Sequence, residues 1–207
     1  MMSLREQYED RYANSLVPAS KALEGVVNNY LQPFVRVDRV SIRPKSVDRF
    51  IRKATKSEGG KRKYTDPLNQ IQDQIGARII TYYLSDVKRI EEKVLSYFQP
   101  IEERAIVPES NWEFGYFGKH FIMALPNEVI YSVSDRSNLP DFFELQIKTL
   151  FQHAWAEAEH DLAYKPELGE LDGGEMRKLA FTAAQAWGAD EIFDELFQRK
   201  INDKAPS

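Results

Sequence analysis

A short alternating segment followed directly by a helical one holds the side chains best suited to chemistry. In DFFELQIKT, apolar residues alternate with Glu144, Gln146 and Lys148. As a β-strand, the segment buries one face and places these three polar side chains together on the other. His153 and His160 follow two turns apart on one side of the next predicted helix. A core strand and a core helix would explain the periodicity, but not three polar groups opposite so apolar a face.

Positive charge is concentrated in residues 36–63, which contain eleven Lys or Arg and three acids. The local charge of +8 leaves −12 for the rest of a chain whose net charge is −4. Ser46 can cap a helix within this region, with Phe50 and Ile51 on one side and basic residues on the other. This asymmetry indicates a phosphate-rich ligand bound against one face, although a solvated basic surface would explain the charge equally well.

Composition limits the classes of protein to consider. The chain has 207 residues, of which 43% are apolar, enough for one domain with a good core and added helices. It has no cysteine for a disulfide or thiolate metal site, and its three histidines argue against a histidine-based metal hydrolase. We expect a cytoplasmic protein without a membrane partner, because no signal peptide or membrane-spanning apolar run is present.

The elements that must position these residues can be predicted from their periodicity. Residues 3–31 predict two helices separated near Pro18, and the segment ARIITYYL predicts a strand before a helix capped by Ser85. Weaker strand patterns occur at 101–108 and 129–133, and residues 175–200 predict one long helix or two helices joined at Gly188. Thr149 can cap the helix that follows the polar strand.

Strands interleaved with helices predict an α+β fold, a mixed β-sheet flanked by helices. We expect N-terminal helices over residues 1–34, a core over 35–165 and C-terminal helices over 166–207.

Four segments carry a resemblance to a known family: RPKSVDRFIRK (43–53), DQIGARI (73–79), FGYFGKH (114–120), and ELQIKT with HAWAEAEHDLAYK (144–149 and 153–165). They occur in the order found in the synthetase domain of the RelA/SpoT family, the alarmone synthetases. Each segment is weak alone, whereas four in register over most of residues 35–200 are specific. The layout resembles the small, single-domain synthetases, which implies a nucleotidyltransferase-like core with extra helices at both ends.

The resemblance implies an ATP-dependent pyrophosphokinase, a GTP pyrophosphokinase-like transferase. Such an enzyme moves the β,γ-pyrophosphoryl group of ATP to a ribose 3′-hydroxyl, typically of GDP or GTP, and makes the stringent-response alarmone (p)ppGpp. Asp73 and Glu144 match the family's metal-binding aspartate and catalytic glutamate, so we expect them to hold Mg²⁺ and to act with Arg78 in catalysis. Glu144 could instead take the proton from the 3′-hydroxyl, and Asp73 taken alone could equally be a helix-end carboxylate.

The resemblance also assigns the two substrates. The residues expected to bind ATP are Arg43, Lys45, Lys53, Lys56 and Arg78. Those expected to bind the acceptor are Tyr116, His120, Gln146, His153 and Lys165. The chain departs from the family at Arg49, where Ser is usual, and at Phe117-Gly118, where Arg-Ser is usual. Because the departure at Phe117-Gly118 removes an arginine, fewer cations should contact the acceptor's 5′-phosphates.

Three functions fit these residues. The first is (p)ppGpp synthesis. The second is a toxic relative that pyrophosphorylates the 3′ end of tRNA or an adenine nucleotide. The smaller number of cations for the acceptor's 5′-phosphates and the surplus of Lys and Arg near residues 49–63 both permit this function. The third is an inactive paralogue that acts as a binding module, against which the retained acids and Arg78 argue. By the same resemblance, homo-oligomers or a neutralising antitoxin partner are to be expected.

Overall fold

A computed structural model describes residues 2–106, 113–115, 118–163 and 169–203. Five strands form one mixed sheet: β1 (Val37–Pro44), β4 (Ile75–Thr81), β5 (Pro100–Ile106), β6 (Gly118–Ala124) and β7 (Phe142–Thr149). Their order in the sheet is β1-β4-β7-β6-β5. β4 and β7 run parallel, and the other neighbouring pairs run antiparallel. A separate hairpin consists of β2 (Ser57–Glu58) and β3 (Lys61–Arg62).

Eight α-helices accompany the sheet in the described residues: α1 (Leu4–Arg11), α2 (Val17–Leu31), α3 (Val47–Ala54), α4 (Pro67–Gln70), α5 (Leu84–Leu95), α6 (Asn127–Ser132), α7 (Leu150–Ala163) and α8 (Gly173–Asn202). The predicted α+β class, a mixed sheet flanked by helices, is confirmed. A π-helical turn, Tyr12–Leu16, joins α1 to α2 at the predicted interruption near Pro18. Over the described ranges, no helix is both long and apolar enough to cross a bilayer.

The alternation predicted for β7 decides which side of the sheet is core. Phe143, Leu145 and Ile147 are buried, and the ring of Phe98 packs edge-on against Phe143 with centroids 5.7 Å apart. Each such side chain stabilises the fold by about 1.5–3 kcal/mol when fully buried. Helix α2 packs along β1, and α5 packs along β7. The polar side chains of β7 are therefore left on the opposite face.

One predicted strand is a helix in the structure, and one open alternative is decided. Residues 129–133 were expected to form a strand, but they lie largely in α6, which begins directly after Pro126. Val129 is fully buried there, so packing overrides the β propensity of the segment. For residues 175–200 the structure has the first of the two predicted alternatives, one long helix, since α8 runs unbroken through Gly188. A glycine costs an exposed helix only about 1 kcal/mol, which packing against α7 can offset.

Helix α8 holds the starts of two other helices through its carboxylates. Asp194 accepts hydrogen bonds from the backbone N and the Oγ of Ser85, at 2.9 and 2.6 Å. The predicted cap at Ser85 is thus corrected: α5 begins at Leu84 with Tyr83 in the cap position, and Ser85 is bound by α8. Asp190 accepts from Thr149 Oγ1 at 2.8 Å, and that same oxygen accepts from Gln152 N at 3.1 Å, which confirms Thr149 as a cap.

The buried Asp190 makes stability depend on pH. Burial raises the pKa of Asp190 to about 6, and the neighbouring acids Glu191 and Asp194 act in the same direction. Because the folded state then binds the proton more tightly than the unfolded chain, this contribution is greatest below the unfolded pKa of about 4 and is lost as the pH rises through about 6.

We therefore expect Asp190→Asn to stabilise the fold by about 1–3 kcal/mol at pH 8 and to change it little at pH 4. The asparagine keeps an oxygen for the hydroxyl of Thr149. Urea unfolding at both pH values measures the effect, with Asp203→Asn at the exposed end of α8 as control. An equal loss of stability at both pH values would mean that the hydrogen bond outweighs the charge.

Candidate active site

Two carboxylates that are distant in the chain come together at the polar face of the sheet. Asp73 lies in the 3₁₀ turn Gln72–Gln74, immediately before β4. Glu144 lies on β7, which pairs with β4 in parallel so that Gly76 is opposite Glu144. Both side chains line the same two cavities, and the charge of Asp73 acts on Glu144. The convergence that the sequence predicted for them is present.

Asp73 is clamped by two lysines from the basic region. Lys45 Nζ lies 2.9 Å from Asp73 Oδ2, and Lys53 Nζ lies 3.0 Å from Oδ1. Lys45 follows β1 directly and Lys53 is on α3, so the predicted basic helix faces the site. Burial by itself would raise the pKa of Asp73, but the two ammonium groups outweigh it and hold the pKa below its ordinary value. Asp73 is therefore ionised at neutral pH.

Glu144 is held from the neighbouring strand and from its own. His120 Nδ1 on β6 lies 3.2 Å from Glu144 Oε1, and Gln146 Nε2 donates to Oε2 at 2.9 Å. Burial would raise the pKa of Glu144, as would the charge of Asp73, yet the contacts with His120 and Gln146 lower it overall. Both oxygens of this ionised carboxylate are therefore oriented before any substrate binds.

A first cavity of about 330 Å³ is lined by the two carboxylates, and we call it the donor cavity because three of the residues predicted to bind ATP also line it. Four cationic side chains line it: Arg43 and Lys45 at the end of β1, Arg49 on α3 and Arg78 on β4. Arg43 and Arg78 meet there because β1 pairs antiparallel with β4. Arg49, the departure from the family pattern, thus adds positive charge to this cavity.

A second cavity of about 480 Å³ is lined by the same two carboxylates, and we call it the acceptor-side cavity after the role proposed for it below. Its cationic wall comes from α3, the hairpin loop and β5, with Lys53, Lys56, Lys63 and Arg104. Lys53 and Lys56, both predicted to bind ATP, therefore lie apart from Arg43, Lys45 and Arg78 in the donor cavity. Gln146, predicted to bind the acceptor, lines the donor cavity instead. The sequence reasoning missed Lys63 and Arg104, and the signal available for Lys63 was its place in the basic run 61–63.

Arg78 is also held from α7. Its Nη1 donates to Glu157 Oε1, and both the charge and the hydrogen bond of Arg78 contribute to a lowered pKa of Glu157 in spite of burial. His153 lies one turn earlier on that helix, and burial and then the nearby cations lower its pKa, against the opposing charge of Glu157. Glu157 was not predicted from the sequence, although its position four residues after His153 puts the two side chains on one helical face.

The third polar residue of β7 differs from the other two. Lys148 is only 4% exposed, and burial together with the charge of Arg78 lowers its pKa to about 8. A strand pattern predicts the face of a side chain, but not how deeply other elements cover it. Here α7 returns across this part of the sheet, so the amine is buried.

The remaining predicted acceptor residues have separate outcomes. His120 and Gln146 contact Glu144 directly, whereas His153 lies near the Arg78–Glu157 pair. Tyr116 and Lys165 fall outside the described residues. The roles assigned to all of these side chains stay predictions.

The carboxylate pair has the chemistry of a magnesium site. Mg²⁺ is usually bound by one or two carboxylates together with substrate phosphates. Asp73 Oδ1 is buried and accepts no hydrogen bond from the described residues, although Lys53 is within ion-pair distance. Among all the residues that the structure describes, no group of three or more His, Cys, Asp or Glu side chains could hold a metal ion without other ligands. The donor set therefore fits an ion completed by phosphate oxygens.

Comparison with known families gives a match over most of this core. The model of the region found in RelA/SpoT proteins matches residues 42–168. GTP pyrophosphokinase YjbM of Bacillus subtilis (strain 168) is 30% identical over 109 residues, which is 50% of this chain and 49% of that protein. The aligned region thus spans about half the length of that relative.

Solved structures share the fold over nearly the whole chain. The small alarmone synthetase 1 of Bacillus subtilis bound to its product pppGpp gives a TM-score of 0.75 at 21% identity, covering 94% of this chain and 98% of that one. The same synthetase bound to AMPCPP gives a TM-score of 0.65 at 20% identity, covering 97% of this chain and 99% of that one.

Proposed function

Because the chain belongs to the RelA/SpoT family, we propose that it transfers the β,γ-pyrophosphoryl group of ATP to the ribose 3′-hydroxyl of GDP or GTP. The matched relative is a GTP pyrophosphokinase, and a neighbour with the same fold binds pppGpp as its product. One observation carries the proposal: Asp73 and Glu144 stand at the junction of two cavities, each with cationic walls. A transfer between two polyanionic nucleotides requires such an arrangement.

The donor cavity suits ATP. Arg43 and Arg78 come from adjacent strands and present flat guanidinium groups, which can stack on a base or bind phosphate oxygens. Lys45 and Lys53 lie against Asp73, where the moving phosphoryl groups would lie. A neighbour with the same fold binds AMPCPP, an ATP analogue. The lysines would exchange part of their contact with Asp73 for the phosphate oxygens.

The acceptor would approach from the acceptor-side cavity with its 3′-hydroxyl beside Glu144. The hydroxyl oxygen bonds to the β-phosphorus of ATP, the bond from that phosphorus to the bridging oxygen of the α-phosphate breaks, and AMP leaves. Glu144, held by His120 and Gln146, orients the hydroxyl and can accept its proton. Lys56, Lys63 and Arg104 provide cations for the acceptor's 5′-phosphates.

Mg²⁺ is the expected cofactor, with Asp73 and Glu144 as its protein ligands. When bound, the ion neutralises charge on the transferred phosphoryl group. The chain's own residues then bind the adenine nucleotide, hold the acceptor hydroxyl and balance the remaining phosphate charge.

Labelled ATP identifies the acceptor. We expect the protein, given ATP labelled in its γ-phosphate and Mg²⁺, to label GDP and GTP and to release one AMP for each labelled product. ATP as acceptor and bulk tRNA are tested in parallel, and the Asp73→Asn variant shows the background. Labelled tRNA, or a labelled ATP product that carries an added 3′-pyrophosphate, with GDP and GTP unlabelled, would contradict the proposal.

A polynucleotide acceptor remains the second candidate because of one feature. Lys61 and Arg62 of the β2–β3 hairpin are exposed, and their neighbours Glu58 and Lys63 line the acceptor-side cavity. Such exposed cations bind phosphate backbones in a salt-dependent way. Labelling of tRNA that falls steeply with added salt would favour this function. A homo-oligomer or an antitoxin partner stays a prediction.

A further inference from the structure

One buried arginine of the N-terminal helix α1 contacts the segment that carries Asp73. Arg11 is 6% exposed, and its Nη1 donates to Gln74 Oε1 at 3.1 Å and to the carbonyl oxygen of Leu68 at 2.6 Å. Gln74 is the residue directly after Asp73 and is itself 1% exposed. The guanidinium of α1 therefore contacts the turn that carries the metal-binding aspartate.

Gln74 connects this contact to both sides of the donor site. Its Nε2 donates to the carbonyl oxygens of Leu68 and Ile71, at 2.7 and 3.0 Å. Its own carbonyl oxygen accepts from Lys45 N at 2.8 Å. The turn that holds Asp73 is only three residues long, and Asp73 has non-helical backbone angles, so its position depends on such external bonds.

Tyr8, one turn before Arg11, contacts the two elements that carry Lys45 and Lys53. Its hydroxyl donates to the carbonyl oxygen of Lys45 at 2.8 Å. Its ring stacks on Phe50 of α3, with centroids 3.6 Å apart and planes 4° from parallel. Both lysine-bearing elements are thus fixed to α1, at the backbone of Lys45 and at the core side of α3.

Burying the charged guanidinium of Arg11 against Leu68 and Gln74 costs free energy. The guanidinium donates to a carbonyl and an amide oxygen rather than to a carboxylate, and its Nε has no hydrogen-bond partner among the described residues. Burial accordingly lowers the pKa of Arg11. Apolar residues of similar volume often stabilise such a position as well or better. Stability alone therefore does not account for Arg11.

We infer that Arg11 and Tyr8 are positioning residues that hold Asp73 and Lys45 in the geometry that binds the triphosphate of the donor. The inference rests on the proposed function, because the donor is the ATP of that reaction. Both residues precede the region matched by the family model, 42–168. The N-terminal helix is in this view part of the donor site, although neither Tyr8 nor Arg11 lines the donor cavity itself.

Arg11→Met tests this inference, with Arg5→Met as the matched control. Arg5 lies on the same helix and donates a hydrogen bond to Asp48 of α3 at 2.8 Å, but this pair is exposed. We expect Arg11→Met to weaken AMPCPP binding and to raise KM for ATP by about tenfold, with KM for GDP unchanged, since a loss of about 1.4 kcal/mol corresponds to tenfold. Arg11→Lys, which keeps one donor, should recover part of the affinity, and Arg5→Met should equal wild type.

Tyr8→Phe provides a second variant that keeps the stacked ring and removes only the hydroxyl. If Arg11→Met fails to fold by circular dichroism, a severalfold loss of AMPCPP affinity in Tyr8→Phe supports the inference, and an unchanged affinity overturns it. Arg11→Met that folds and binds AMPCPP as tightly as wild type also overturns it. Wild-type protein that binds AMPCPP but transfers nothing refutes the proposed function alone. Wild-type protein that does not bind AMPCPP refutes both.

Discussion

Asp73→Asn is expected to lower kcat for pyrophosphoryl transfer by about 10³-fold or more, while the fold is retained. Asparagine has nearly the same volume, so the change removes charge at the junction of the two cavities without creating a void. A metal-bound carboxylate contributes several kcal/mol to the transition state, and each 1.36 kcal/mol corresponds to about tenfold in rate.

A second effect of Asp73→Asn distinguishes a metal ligand from a structural acid. Asp73 engages both Lys45 and Lys53 in the free protein, so its loss releases two cations for phosphate. We expect AMPCPP binding without Mg²⁺ to be kept or strengthened, and the gain in affinity that Mg²⁺ gives wild type to disappear. Calorimetry with and without Mg²⁺ measures this.

The control is Asp66→Asn, an exposed acid in the same segment, bonded to Asn69 at 2.7 Å. It should leave both activity and Mg²⁺ dependence unchanged. Full activity in Asp73→Asn would remove the aspartate from the site. Loss of the circular dichroism signal would instead assign it a structural role.

Glu144→Gln is expected to lower kcat by about 10²–10⁴-fold, the usual contribution of a positioned proton acceptor. Glutamine can still contact His120 and Gln146, so the strand geometry survives, but it cannot accept the proton of the 3′-hydroxyl. Glu144 contacts His120 and Gln146, whereas Asp73 contacts the two lysines proposed to bind the triphosphate, so AMPCPP affinity should change much less than it does in Asp73→Asn. Single-turnover product formation and AMPCPP titration together measure this difference.

The matched control for Glu144→Gln is Glu103→Gln on β5 of the same sheet, where the carboxylate is exposed and lies 3.1 Å from Lys119. We expect wild-type activity from it. If Glu144→Gln instead loses Mg²⁺-dependent AMPCPP binding to the same extent as Asp73→Asn, the glutamate acts mainly as a metal ligand. Unchanged kcat would exclude it from catalysis.

The agreement between sequence and structure is best where a pattern is local. Alternation along β7 predicts correctly which side chains enter the core and that Glu144 and Gln146 share the other face. Helical spacing predicts α3 with its basic side, and Ser46 takes the predicted cap position, although its side chain makes no capping hydrogen bond. These predictions succeed because the geometry of one strand or helix fixes side-chain directions by itself.

The predictions that failed depend on neighbours in space. Residues 129–133 have the composition of a strand, but burial of Val129 decides for a helix. Glu157 and Arg11 carry no local signal for their contacts with Arg78 and Gln74, since those partners come from other elements. Lys148 reads as a polar face residue, and the helix that covers it makes it a buried amine.

The sequence by itself determined the family, the α+β class and the residues that could form the site. Tertiary structure alone decided that Asp73 and Glu144 meet, because β4 and β7 pair in parallel across a long stretch of chain. It also decided which partners shift the pKa of each carboxylate, and that Arg11 of α1 contacts Gln74 beside Asp73. The reason is physical: local spacing sets the direction of a side chain, whereas distance, burial and charge environment come from how separate elements pack.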